Sequence, residues 1–322
     1  MKRRFLVVVR AGDRSMHPQW LAQAGARNWD LIVHYYGDDP QRYPTSGDGL
    51  VRIDSKGPKW PALHKLLSDT RDAWREYDYI WFPDDDLTAS CEDINRMFEL
   101  MAALGIELAQ PSLSWDSDSD LVMPLHNPNF ALRFSSFIEP MAACFSRALL
   151  ERVVPTFGEI TSGRGLGYVW PRYLQSAATQ CAILDCIQVT HTRPVAGPNL
   201  PPHETDGVDP RTEIDWLLKK HGVPGAIQLS YGALDRDGRR YNLFDADSGE
   251  FVFRLCEGYL GKLADKPVLL GTVFASHAAA RAEYLCQAPA TATAGAALER
   301  FKNAIAAAAA NCAGRVVAAA PG

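Results

Sequence analysis

Nowhere does the chain hold a run of about 18 uninterrupted apolar residues, so no segment reads as a membrane-spanning helix. It lacks a basic excess as well. Lys and Arg total 33 against 38 Asp and Glu, and the net charge of -5 excludes a global field that would draw the protein to nucleic acid. Cysteine is scarce and arranged without pattern. Seven Cys, an odd number with no Cys-x-x-Cys pair, read as reduced thiols of a cytoplasmic protein rather than a disulfide frame. Cys181 and Cys186 lack metal-ligand spacing and read as buried structural thiols. A leader peptide is not expected: MKRRFLVVVRAGD opens on basic residues, but the apolar run at 5–9 is too short and Arg10 and Asp13 follow at once. What is present is ordinary for a globular protein, 47% hydrophobic and 22% charged. Eight Trp and eleven Tyr suit a large core and equally suit stacking on sugars or bases.

Up to about residue 200, strand-like and helix-like segments alternate. FLVVV (5–9), LIVHYY (31–36), YDYIWF (77–82), IELAQPSL (106–113) and CAILDCIQVT (181–190) read as strands. Between them, PQWLAQAG (18–25) has Pro18 near its start and Gly25 as stop, and 61–74 places Leu63, Leu66, Leu67, Thr70 and Trp74 on one helical face. SCED (90–93) has the spacing of a capping box, continued by Ile94, Phe98, Met101 and Leu104 and ended at Gly105. This alternation predicts an α/β fold with a mostly parallel central sheet and helices on both faces. Ligands of such sheets bind beyond the carboxyl ends of the strands.

SWDSDSDLVMPLHNPN (114–129) is patternless and predicts a lid-like loop whose Asp116, Asp118 and Asp120 are solvated. Past residue 200 the character changes. Asp209 reads as an N-cap, Pro210 as the first helical residue and Gly222 as the stop. LDRDGRRYNLFDADSGEFVF (234–253) reads as strands joined by an Asp-Gly turn, with Asp245, Asp247 and Gly249 a plain turn rather than a calcium loop. The division is 1–202, then a C-terminal α+β extension over 203–288, then an Ala-rich helix and disordered tail over 289–322.

YDYIWFPDDDL (77–87) places three adjacent carboxylates at the end of a buried strand. Solvated charges favouring the following helix account for one or two of them. Three point to a hard divalent cation shared with a substrate's phosphates. Two unit charges 4 Å apart interact by about 4 kcal/mol at an effective dielectric near 20, so a dication offsets the mutual repulsion. Nucleotide-sugar transfer uses an Asp-x-Asp after a strand in this way. Aspartyl-phosphate chemistry of the haloacid-dehalogenase type uses Asp-x-Asp-x-Thr, which DDDLT (84–88) also matches. The second fits less well. Two strands precede Asp84, no later acidic pair follows a strand, and Pro83 sits in a turn that needs backbone donors.

RAGDRSMHPQWL (10–21), NWDLIVHYYGDDP (28–40), KGPKWPALHKLL (56–67), YDYIWFPDDDL (77–87), ELAQPSLS (107–114), FIEPMAACFSR (137–147), SGRGLGYVWP (162–171) and HTRPV (191–195) follow one another in one order. Together they resemble the domain of unknown function 707 family, whose members are similar to glycosyltransferase-A-fold enzymes. The resemblance covers about residues 5–200. It implies that Asp84 and Asp86 are the Asp-x-Asp pair and that His191 completes a site for Mn²⁺ or Mg²⁺. Arg10, Asp13, Lys59, Asp85 and Arg164 then line the donor, a nucleoside diphosphate sugar bound by residues 1–202. Trp60, Trp115 and Trp170 can stack on sugars, with core packing as the default for each.

Glu139 interrupts an apolar run and needs a sugar hydroxyl or a cation as partner. In SGRGLGYVWP, Arg164 stands where the family pattern has a sugar-stacking Trp, and Gly167 where it has an acidic general base. Glu139 and Asp185 are the substitute catalytic candidates; a retaining mechanism needs no such base. The expected activity is transfer of the sugar to a glycan or lipid-linked acceptor, with peripheral membrane contact allowed. The alternative left by Gly167 is a non-catalytic nucleotide-sugar or glycan-binding protein.

Overall fold

Every residue of β1 (Phe5–Ala11) is buried, and its side chains divide between two cores. Phe5, Val7, Val9 and Ala11 enter one, Leu6 and Val8 the other. A strand covered on both faces requires just such a continuous apolar run. The computed structural model describes residues 3–22, 27–194, 209–245, 248–263 and 266–287.

Eleven more strands follow in chain order: β2 (Trp29–Tyr35), β3 (Ser46–Gly47), β4 (Leu50–Asp54), β5 (Tyr79–Trp81), β6 (Leu87–Thr88), β7 (Leu108–Leu113), β8 (Leu132–Ser135), β9 (Cys144–Ser146), β10 (Cys181–His191), β11 (Ser230–Leu234) and β12 (Arg240–Asn242). They form one sheet in the order β12-β11-β8-β10-β7-β9-β5-β1-β2-β4-β3, with β6 paired to β10 beside it. The spine β4-β2-β1-β5-β9-β7-β10 is mostly parallel, and β9 alone runs against it. Antiparallel strands extend both margins.

One face is covered by the helices Cys91–Leu104 and Ser248–Leu263, which send Ile94, Met97, Phe98, Met101, Phe251, Leu255 and Tyr259 into the first core. The other carries the helices Lys59–Asp69 and Arg147–Phe157, with Trp60, Leu63, Leu66, Leu149, Val153 and Phe157 in the second. The expected α/β architecture is therefore present. Ser90 caps its helix by accepting the Asp93 N–H at 3.0 Å, and Gly105 ends it at φ 66°. Asp209 likewise accepts from the Arg211 N–H at 2.9 Å to open the helix Pro210–Lys220.

Several segments differ from the sequence reading. The helix expected over 61–74 is two, Lys59–Asp69 and Arg71–Trp74, broken at Thr70, whose hydroxyl bonds the Leu66 carbonyl at 2.7 Å. The helix near residue 18 is His17–Leu21, and Gly25 lies outside the described residues, as does Asp247. The Asp-Gly turn joins β11 and β12 as expected, with Gly238 at φ 83°. Residues 248–253, read as strand, instead begin a helix. Phe251, Val252, Leu255, Tyr259 and Leu263 recur at helical spacing and bury one stripe.

The 114–129 segment is tied down rather than free. Leu113 N–H donates to the Pro124 carbonyl and His126 N–H to the Leu113 carbonyl, both at 2.8 Å. Asp116, Asp118 and Asp120 are exposed. β11 and β12 join the sheet through β8, and Phe251 shares a core with Phe130 and Phe134. Residues 289–322 lie outside the described residues. Among the described residues no helix is long and apolar enough to cross a membrane.

A candidate metal centre at the carboxyl edge

β5 ends at Trp81, two residues before Pro83, which has no N–H to give a ladder. The chain stays at the sheet edge through bonds from Phe82 N–H to the Ala143 carbonyl (3.0 Å) and from Asp84 N–H to the Met141 carbonyl (2.7 Å). There the three aspartates part company. Asp84, half-buried, forms an ion pair with Lys59 Nζ, which also donates to the Phe82 carbonyl at 3.1 Å. Asp85 turns inward. Its Oδ2 accepts the Gly12 N–H at 2.7 Å and its Oδ1 accepts from Arg193 at 2.9 Å. Burial pushes the Asp85 carboxyl above the usual carboxylate range, against the pull of the Gly12 N–H and the Arg193 charge.

Asp86 is the informative member. Its Oδ2 lies 3.2 Å from His191 Nε2. Its Oδ1 is buried and has no hydrogen-bond partner among the described residues. A buried carboxylate oxygen left unpaired is costly, and a bound cation would satisfy it. His191, the last residue of β10, pairs with Leu87 of β6 and so faces the aspartates. Its backbone N–H donates to Ser117 Oγ at 3.0 Å, and its Nδ1 lies 2.8 Å from the Asp118 carbonyl. A proton assigned to Nδ1 for that bond points Nε2 at Asp86. Burial opposes the imidazolium, but the Asp86 and Asp84 carboxylates outweigh it and push His191 up to about 9. One ligand atom each from Asp84, Asp86 and His191 fall within 4.8 Å of one another. Two carboxylate oxygens and an imidazole nitrogen suit Mn²⁺, and with further oxygen ligands Mg²⁺.

The remaining sequence candidates take varied places. Arg10 is buried and donates to the Ser55 carbonyl at 2.8 Å and the Gly57 carbonyl at 2.7 Å, while its Nε has no partner among the described residues. It braces the turn that leads into Lys59, and burial lowers it to about 10. Asp13 accepts from Tyr35 Oη and from the Asp38 N–H at 3.3 Å, latching the loops after β1 and β2; the Tyr35 bond is the main reason its carboxyl lies below the usual range. Glu139 is half-buried, its N–H donates to Gln110 Oε1 at 2.6 Å, and no hydrogen bond reaches its carboxyl among the described residues. Removal from water and the Asp84 charge push that carboxyl up to about 7, while His191, Arg164 and Lys59 pull it down. Asp84, His191, Lys59, Arg164 and Glu139 thus share one neighbourhood.

Asp185 is placed elsewhere. It is fully buried, and Arg133 holds it by two bonds of 2.7 and 2.9 Å while the Asn127 N–H adds a third at 2.8 Å. Both oxygens are engaged, which leaves none to take an acceptor proton. Trp60 and Trp170 are core residues packed on Phe157, and half-buried Trp115 lies against Tyr259. Gly167 packs directly against the Ile138 backbone. A Cβ there would overlap the Ile138 carbonyl oxygen, whose residue also bonds the Gly167 carbonyl. Sequence reasoning passed over Thr192 and Arg193. Thr192 donates from N and Oγ1 to the Asp86 carbonyl (3.2 and 2.8 Å), so residues 191–193 engage the aspartates one after another. The block HTRPV was the available signal.

No family model matches the chain, and no curated protein does. Among solved structures it is similar to glucosyl-3-phosphoglycerate synthase from Mycobacterium tuberculosis, solved with Mn²⁺, uridine diphosphate and phosphoglyceric acid. That likeness has 19% identity, covers 74% of this chain and 86% of that one, and has a TM-score of 0.43. It is also similar to S. aureus TarS 1–349 in complex with UDP-GlcNAc, at 9% identity, 95% and 89% coverage and a TM-score of 0.46. At these scores the likenesses carry no inference about activity, and the functional reading rests on the residues themselves.

Proposed function

We propose that the protein is a metal-dependent glycosyltransferase of the glycosyltransferase-A type, related to the domain of unknown function 707 family. It takes a nucleoside diphosphate sugar as donor and a glycan or lipid-linked acceptor. The observation that carries this reading is the buried Asp86 Oδ1, unpartnered among the described residues, beside Asp84 and His191 at the edge of the sheet where such folds bind ligands. Asp84, Asp86 and His191 would hold Mn²⁺ or Mg²⁺, which when bound supplies a Lewis acid for the departing diphosphate.

The chain's own residues do the rest. Lys59 brings an ammonium to the same carboxylate edge, where it can face a donor phosphate. Asp85 fastens the backbone of Gly12 and the guanidinium of Arg193 around the donor side. Glu139, raised to about 7, accepts the proton of the acceptor hydroxyl at a carboxylate oxygen. The alternative of a non-catalytic binding protein drew on Gly167, and that position faces the Ile138 backbone rather than open space. The aspartyl-phosphate alternative needs backbone donors after the strand, and the Asp84 N–H is engaged by Met141.

The test is release of nucleoside diphosphate from UDP-, GDP- and dTDP-sugars with Mn²⁺. Turnover should be lost in Asp86→Asn and fall by about 10²–10⁴-fold in Glu139→Gln. Turnover unchanged in Asp86→Asn would remove the reading.

A further inference from the structure

Both segments that surround Glu139 are held from outside by residues 209–230. The loop that carries Arg164 is anchored by Glu213, buried in the first turn of the helix Pro210–Lys220. Its Oε1 accepts the Thr161 N–H at 2.6 Å and its Oε2 the Ser162 N–H at 2.8 Å. Gly165, at φ 97°, lies so close to that helix that a Cβ would stand 3.2 Å from Ile214 and Leu217. Ahead of the loop, Glu159 meets His221 Nε2 at 2.7 Å and Lys220 at 3.2 Å. The segment leading to Glu139 is treated alike. Ser136 N–H donates to the Leu229 carbonyl at 2.9 Å, and Leu229 N–H returns to Ser136 Oγ at 2.8 Å. Gln228 donates to Tyr168 Oη at 2.9 Å, and the Tyr168 ring packs on Phe137 at 4.4 Å.

We propose that Glu213 is the positioning residue of the acceptor side: by gripping two successive backbone N–H groups it sets Arg164 beside Glu139 and makes the helix Pro210–Lys220 a wall of the active site. The proposal rests on the reading of Glu139 as the base. The two N–H groups go to separate oxygens, and a carboxylate supplies both as acceptors. Glutamine of the same shape keeps one acceptor and turns an NH₂ toward the second N–H, so it separates the grip from mere volume.

The test uses full-length wild type, Glu213→Gln, Arg164→Ala and the double variant. Affinity for Mn²⁺ alone, by calorimetry, should be unchanged in all four. In Glu213→Gln, amide hydrogen exchange should rise about 10-fold at 161–165, the equivalent of one net hydrogen bond, and stay unchanged at 84–88. With a turned-over donor, kcat should fall at least about 10-fold, because the lost element is orientation. The double variant should be no slower than Arg164→Ala, since both act through one side chain. Unchanged exchange at 161–165, faster exchange throughout the protein, or losses that multiply in the double variant would overturn the proposal. If wild type turns over no nucleotide sugar, it is the glycosyltransferase reading that fails, and the exchange comparison still decides whether Glu213 holds the loop.

Discussion

At Asp86 one carboxylate oxygen faces His191 and the other is buried without a partner among the described residues, whereas both oxygens of neighbouring Asp85 are engaged by Gly12 and Arg193. The two positions should therefore answer substitution differently. Asp86→Asn is expected to weaken Mn²⁺ binding by at least about 10–100-fold. Asp85→Asn should keep most of the metal affinity and lose about 1–3 kcal/mol of stability, read as a lower melting temperature. Gly167→Ala is expected to destabilise by about 1–3 kcal/mol or more, because its Cβ meets a backbone carbonyl that cannot rotate away. Asp185→Ala strips the buried Arg133 of its counter-charge and should cost about 3–5 kcal/mol in denaturant unfolding. Asp84 and Asp86 were singled out because residue type and edge position coincide, and His191 only through the family resemblance. The role of Asp85 was not legible, since its partners lie 73 and 108 residues away and only the fold brings them in. Asp185 was misplaced for the same reason: Arg133 arrives from an antiparallel neighbour of β10.

Among the elements, those with strong local signals were readable. β1, the helix capped by Ser90 and the helix capped by Asp209 form within a few residues of where caps and apolar spacing put them. β8 and β9 were not readable, because 130–146 mixes apolar and polar residues without a clear period and only pairing with β10, β5 and β7 makes them strands. The segment between them carries Glu139. Its carboxyl is raised in the metal-free protein, and on the proposal that Glu139 is the base the rate should climb with pH as that carboxyl loses its proton. Arg164 and Lys59 hold that carboxyl down, so Arg164→Ala should move the rise to higher pH. The accompanying stability term has a definite sign. The folded state holds the Glu139 proton more tightly than the unfolded chain, so this contribution is present at low pH and fades between about 4.5 and about 7.

Taken whole, the molecule carries its spine of parallel strands as the alternation predicts, and it extends that sheet with β11 and β12 rather than closing it off. Three histidines, His17, His34 and His277, are buried, and burial lowers each to about 4. The unfolded chain takes up protons at these positions below about 6.5 that the folded protein refuses until about 4. The histidine contribution should accordingly lower the melting temperature as pH drops from 6.5 to 4, opposite in direction to the Glu139 term. The central claim is that the aspartate edge holds a divalent cation on which a nucleoside diphosphate rests. Its most direct test is a thermal-shift titration of UDP-, GDP- and dTDP-sugars, with and without Mn²⁺, on wild type and Asp86→Asn. Ligand at 100 times its Kd stabilises by about 2.7 kcal/mol. A rise of several degrees with one nucleotide, dependent on Mn²⁺ and absent from Asp86→Asn, is the predicted result; no shift with any nucleotide, or an equal shift in the variant, would contradict the account.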